Sequence, residues 1–148
     1  MAGFTIFEAL LVILIVFVMV ASLIPKVGQT LGHARVNRAA YVVAADLLLA
    51  QSLAARQRSP VELAIVSTSV DSMLALTITD AASGKVLRTD YFDKANSDFN
   101  LGALSASPAS VAVMPNGTAS ASMVVTVGGT DYYHQVRITL AGQVRIIQ

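Results

Sequence analysis

A run of about 21 apolar positions, Phe4 to Ile24, holds a single carboxylate and constrains this chain more than any other feature. From Ala9 to Pro25 the side chains read Ala-Leu-Leu-Val-Ile-Leu-Ile-Val-Phe-Val-Met-Val-Ala-Ser-Leu-Ile-Pro, without a charge. As a helix rising about 1.5 Å per residue, the run spans roughly 30 Å, the thickness of one bilayer core. A secretory signal peptide would carry a basic n-region, a shorter apolar core and a small-residue cleavage site. Met1-Ala2-Gly3 has no base, and the run is long for such a core. The expected element is a retained, single-pass membrane helix.

Composition bounds the remainder. The chain has 148 residues, 55% hydrophobic and 13% charged, enough for one ordinary domain plus an appendage. Twenty of the first 25 residues are apolar, so the rest is close to half apolar, as in a soluble globular domain. Disorder and a multi-span membrane protein are both excluded. Residues 1–60 carry a net charge of +3 and residues 61–148 a net −2, so neither part is a strong nucleic-acid binder on charge alone. The absence of cysteine excludes disulfides, thiolate metal sites, thiol catalysis and a lipidated cysteine.

Glu8 breaks the apolar run. A carboxylate at the bilayer centre costs about 2.5–3.5 kcal/mol on insertion scales, and less near the end of a span. Either an interfacial position makes it tolerable or a cation meets it. No Lys or Arg lies within reach in the same segment. An α-amino group newly exposed at Phe4 would supply one, since residues four apart share a helix face. That requires cleavage after Gly3.

Gly3-Phe4-Thr5-Ile6-Phe7-Glu8 followed at once by an apolar span resembles the type IV prepilin processing motif, Gly-Phe-Thr-Leu-x-Glu. The resemblance implies that residues 1–3 are a leader. A membrane-embedded prepilin peptidase would cut after Gly3 and methylate the new Phe4 amine, and Glu8 would pair with the N-terminus of a neighbouring subunit during filament assembly. The leader here is three residues without a base, and position 6 is Ile rather than Leu.

Pro25 cannot donate a backbone hydrogen bond and clashes with the preceding turn, so a kink or local loosening is expected there. Gly28 and Gly32 weaken the same stretch by about 1 kcal/mol each relative to Ala. From His33 to Arg58 the sequence is Ala-rich, without Pro or Gly. Val36, Ala40, Val43, Leu47, Ala50 and Ala54 recur at spacings of three and four, which predicts one buried stripe on an amphipathic helix. Ser59-Pro60 ends it. The expected organisation is a leader at 1–3, a membrane and assembly helix at 4–25, an amphipathic helix at 26–59 and a β domain at 60–148.

Short runs rich in Val, Ile, Thr and Tyr fill that last part: Val61–Val70, Met73–Asp80, Lys85–Phe92, Val111–Pro115, Ser120–Val127, Tyr132–Leu140 and Gln143–Ile147. Ala82-Ser83-Gly84, Pro115-Asn116-Gly117, Gly128-Gly129 and Ala141-Gly142 punctuate them as turns. Asp93–Ser110 reads as a long surface loop. A helix followed by consecutive antiparallel strands is an α+β arrangement, with the helix covering one sheet face. The Ala-rich helix, the β domain, the Pro-Asn-Gly turn and the closing Ile-Thr-Leu-Ala-Gly-Gln-Val-Arg-Ile resemble the GspH/FimT group of pseudopilins and minor pilins. That resemblance implies a structural subunit, not an enzyme, needing no cofactor. Its domain would lie in the periplasm on an inner-membrane anchor, with the prepilin peptidase and other pilins as partners.

Other chemistry is thin. His33 and His134 are the only histidines and lie on different elements, so neither a zinc nor a Ser-His-Asp site is expected. Asp90, Asp93 and Asp98 lack the spacing of a calcium loop. Asn116-Gly117-Thr118 matches a glycosylation sequon but has a sufficient turn explanation. Arg35, Arg38, Arg56 and Arg58 read by default as a solvated helix face, although Arg35 and Arg38 are close enough to the membrane to touch neighbouring subunits. Gly142-Gln143-Val144-Arg145 resembles the Gly-Arg-x-Arg motif with which some FimT-type minor pilins bind DNA. Gln143 replaces the first Arg, leaving Arg145 and, across the turn, Arg137 as candidate phosphate contacts. Phosphate binding needs several clustered bases, so a structural turn is the expected role.

Overall fold

The computed structural model describes residues 5–68, 73–92, 99, 101–128 and 132–147, with the backbone only at 22–29, 67, 68 and 73. One α-helix, α1, spans Ile6–Gln57. Eight strands follow: β1 Val61–Thr68, β2 Met73–Asp80, β3 Val86–Tyr91, β4 Ala103–Ser107, β5 Ser110–Val113, β6 Met123–Gly128, β7 Tyr133–Ile138 and β8 Val144–Ile147. The chain divides into two compact units, one ending at Gly32 and the other His33–Gln148.

In the first unit every side chain from Ile6 to Ala21 is exposed, the large apolar ones by 47–83%. Beyond Glu8 in its first turn this part of the helix is apolar on all sides, a surface suited to an apolar surrounding. Pro25, Gly28 and Gly32 all lie inside α1 and not at its end. The proline therefore sits within a helix that continues past it.

In the second unit, the stripe Val36, Ala40, Val43, Leu47, Ala50 and Ala54 is buried as its spacing requires, joined by Ala39. Arg58, at φ +54°, turns the chain out of the helix before Ser59-Pro60. The strands form two antiparallel four-stranded sheets, ordered β3-β2-β1-β5 and β4-β6-β7-β8, where the sequence pattern alone pointed to one sheet face. The chain moves from the first sheet to the second after β3, returns through the cis Ser107-Pro108 bond between β4 and β5, and leaves again before β6. Alternation places one face of each sheet inward: Leu63, Ile78 and Val113 from the first and Met123, Val125 and Val136 from the second share one core with the helix stripe.

Part of the expected loop 93–110 is a strand instead. β4 runs Ala103–Ser107 and pairs with β6 from Ala103↔Gly128 to Ser107↔Val124. Ala and Ser are weak strand formers, so the segment carries no propensity signal. Its place comes from the β6 ladder and from Leu104, which is buried in the core. The remaining strand expectations match their elements to within a few residues, Met73–Asp80 at both ends. Residues 69 and 70 of the first strand expectation and Gly129 of one turn lie outside the described residues.

Candidate functional site

Gly3 and Phe4 lie outside the described residues. Immediately after them, Thr5 precedes the first helical residue, and its hydroxyl accepts a hydrogen bond from the Glu8 backbone N–H at 3.4 Å. Glu8 reciprocates: its Oε2 accepts from the Thr5 backbone N–H and from Thr5 Oγ1, both at 3.3 Å. This is a capping box, and it satisfies N–H groups that the first turn leaves without helical partners. The acid also sits at the positive end of the helix dipole. Glu8 thus has a local partner within its own chain, which the search for a cation passes over. The Thr5-x-x-Glu8 spacing is the signal that would have found it.

At the other end of the chain, the Ala141-Gly142 turn joins β7 to β8. The Gly142 N–H donates to the Thr139 carbonyl at 2.8 Å, and the Thr139 N–H donates to the Gln143 carbonyl at 3.0 Å. Gly142 has φ +77° and Gly117, in the Pro-Asn-Gly turn, φ +84°. The two turns touch. A Cβ on Gly142 would lie 1.9 Å from the Gly117 carbonyl oxygen. Gln51 of α1 donates from Nε2 to the Gly142 carbonyl at 2.5 Å, so helix and both turns meet at one point. The Asn116 Oδ1 accepts from the Thr118 N–H at 3.1 Å and from its hydroxyl at 2.8 Å, which gives Asn116 a turn-forming role.

Arg137 and Arg145 are directly opposed cross-strand partners on β7 and β8, and both are exposed. Neither pairs with a carboxylate among the described residues. Two like charges facing each other weaken a sheet slightly, and the pair offers an anion two guanidinium groups. Gln143 is also exposed but supplies no charge.

The two histidines meet the same tyrosine. His33 stacks on Tyr132 with ring centroids 4.4 Å apart, and His134 meets it edge-on at 4.8 Å. His134 is 3% exposed; its Nε2 hydrogen-bonds Tyr132 Oη at 2.9 Å and Asn37 Oδ1. Among the described residues no three His, Cys, Asp or Glu side chains gather into a metal-holding group. Asp93 and Asp98 lie outside the described residues, and Asp90 is held in an ion pair with Arg88 at 2.7 Å. Hydrogen bonds from the Ser83 hydroxyl and the Ala82 N–H hold the Asp80 carboxyl below its ordinary range at the β2–β3 turn.

An apolar helix leading into a helix-covered, antiparallel β domain is the type IV pilin fold. Two crystal forms of the type IV minor pilin FimU from Pseudomonas aeruginosa strain PAO1 share it. One superposes with a TM-score of 0.58 at 22% identity, covering 78% of this chain and 90% of FimU. The other gives 0.52 at 21% identity, covering 76% and 92%. No protein-family model matches the chain, and no curated protein does.

Proposed function

We propose that this chain is a minor structural subunit of a type IV pilus or a type II secretion pseudopilus, and not an enzyme. A prepilin peptidase would cleave it between Gly3 and Phe4 and methylate Phe4. The apolar part of α1 would hold it in the inner membrane, with the β domain in the periplasm, until it joins other pilins in a filament. The observation that carries this reading is the pilin fold on a helix whose Ile6–Ala21 side chains are exposed on every side. Such a surface needs lipid before assembly and neighbouring apolar helices after it. Glu8 supports the same reading, because a carboxylate there opposes insertion and gains most where a partner's amine meets it. Its capping hydrogen bonds to Thr5 hold the side chain near the helix start, where a neighbour's N-terminus would approach.

The test is an intact mass from cells with an active prepilin peptidase, together with Glu8→Ala. The expected mass lacks Met1 to Gly3 and carries one methyl group. The expected variant inserts into the membrane but is depleted from sheared filaments. A full-length mass, or assembly at the wild-type level by Glu8→Ala, counts against the processing and pairing roles respectively.

A DNA-binding minor pilin is the second reading, favoured by one observation: the opposed Arg137 and Arg145, which pair with no carboxylate among the described residues. Against it stand the net charge of −2 over residues 61–148 and the packing role that Gly142 already fills.

A further inference from the structure

Asp46 is a buried acid that the proposed assembly does not use. It lies on the inward stripe of α1 between Val43 and Leu47 and is 2% exposed. Its Oδ1 is 3.4 Å from Arg88 Nε, but that same nitrogen is closer, 2.7 Å, to Asp90 Oδ2. Its Oδ2 is buried and, as a carboxylate oxygen, has no hydrogen-bond donor among the described residues. One guanidinium therefore faces two carboxyl groups, one of them shut away from water. Both cannot ionise together without a large cost, and a proton on the buried one removes it.

Among the described residues the neighbours supply little other compensation. Arg88 and Asp90 are on β3, opposite Ile78 and Leu76 of β2, and both of those are buried and apolar. Among the described residues, the charged groups acting on Asp46 are Asp90 and Arg88 alone. Among the described residues β3 is an edge strand that pairs with β2 alone, and none of its residues is fully buried. Polar contacts to α1 therefore weigh more for β3 than for the inner strands.

We propose that Asp46, Asp90 and Arg88 form a proton-sharing latch that ties α1 to the edge strand β3. In the closed state Asp46 is neutral and donates its O–H to the Asp90 carboxylate, which also accepts from Arg88. The trio then sums to zero charge. When solvent base removes the Asp46 proton, a second negative charge appears in the dry contact, the O–H donor is lost, and β3 loosens. The proposal does not depend on the filament reading.

The electrostatics of the two acids run in opposite directions, as sharing requires. Burial, followed by the hydrogen bond and charge of Asp90, raises Asp46 to about 7, with Arg88 pulling the other way. Burial also pushes Asp90 upward, but hydrogen bonds from Arg88 and Asp46 outweigh it and hold Asp90 below its ordinary value. The signs follow. A carboxyl raised in the folded state contributes stability at low pH that is lost as pH rises through about 7. A carboxyl lowered in the folded state contributes stability that is lost as pH falls. The latch therefore opens on the alkaline side of neutrality and is tightest in mildly acid solution.

The experiment uses the full chain in detergent micelles with 13C-labelled aspartate. Expected are two separated carboxyl steps for the pair, one near neutrality that disappears in Asp46→Asn and moves to lower pH in Asp90→Asn. In parallel, amide exchange in β3, corrected for intrinsic base catalysis, should lose about tenfold protection between pH 6 and pH 8 in the wild type. It should stay constant in Asp46→Asn, whose amide keeps a neutral donor. Every other group is the same in both proteins, so its contribution is common to the comparison. Two ordinary steps near pH 4 for the wild type would overturn the latch. So would a loss of β3 protection that persists in Asp46→Asn.

Discussion

At Gly142 an added methyl group would sit 1.9 Å from the Gly117 carbonyl oxygen, in a backbone conformation that L side chains rarely adopt. Gly142→Ala is therefore expected to cost more than about 2 kcal/mol, combining the positive-φ penalty with displacement of one turn from the other. Urea unfolding of the full chain measures it, and Gly84→Ala is the control. Gly84 shares the positive φ, but an added Cβ there meets nothing within 4 Å, so only the backbone penalty remains. A loss at Gly142 no larger than at Gly84 would remove the turn-on-turn contact from consideration. The closing Ala-Gly-Gln-Val-Arg thus has a structural reason for its glycine that stands without any ligand. Thr5-x-x-Glu8 has the spacing of a capping box, a signal that weighing Glu8 against cations alone leaves unread. Asp46 was not singled out, although its place between Val43 and Ala50 puts it on the buried stripe, because a lone acid does not break a run of alanines and leucines. Arg88 and Asp90, two apart on one strand face, gave no hint of the helix they meet.

Among elements, the amphipathic half of α1 was the most legible, since an apolar period of three and four survives whatever packs against it. Leu47 is the largest residue in that stripe and is fully buried. Leu47→Ala should cost about 2–5 kcal/mol, the range for a core leucine whose surroundings close only partly around the space left. Chemical denaturation of wild type and variant gives the difference. A loss below 1 kcal/mol would mean that the helix face was assigned wrongly. The strands were readable where Val, Ile and Thr alternate, as in β2, β6 and β7. β4 was not, because pairing to β6, and not propensity, makes it a strand. The division into two sheets was also hidden: period-two alternation says which face is inward but not which strand is the neighbour.

Across the whole molecule, charge decides how the Arg137–Arg145 pair behaves. Two guanidinium groups on a region of net charge −2 bring few counterion-releasing contacts to DNA, and such binding weakens steeply with salt. The full chain in detergent should show no detectable complex with double-stranded DNA at physiological salt in an anisotropy titration. A micromolar or tighter complex that is lost in Arg145→Ala would make this a DNA-capturing subunit. The connections between helix and sheet also set an order of events in time. Gln51 of α1 meets Gly142 across 91 residues of sequence, and Asn37 meets His134 across 97. At about 5–20 residues per second, roughly 5–20 s pass between synthesis of the helix and synthesis of the turn that clasps it. Contacts this distant along the chain form late and slow the search for the folded state. For that interval the stripe headed by Leu47 exists without the complete set of strands that cover it. A nascent chain of this design is most exposed to aggregation and proteolysis before its last two strands are made.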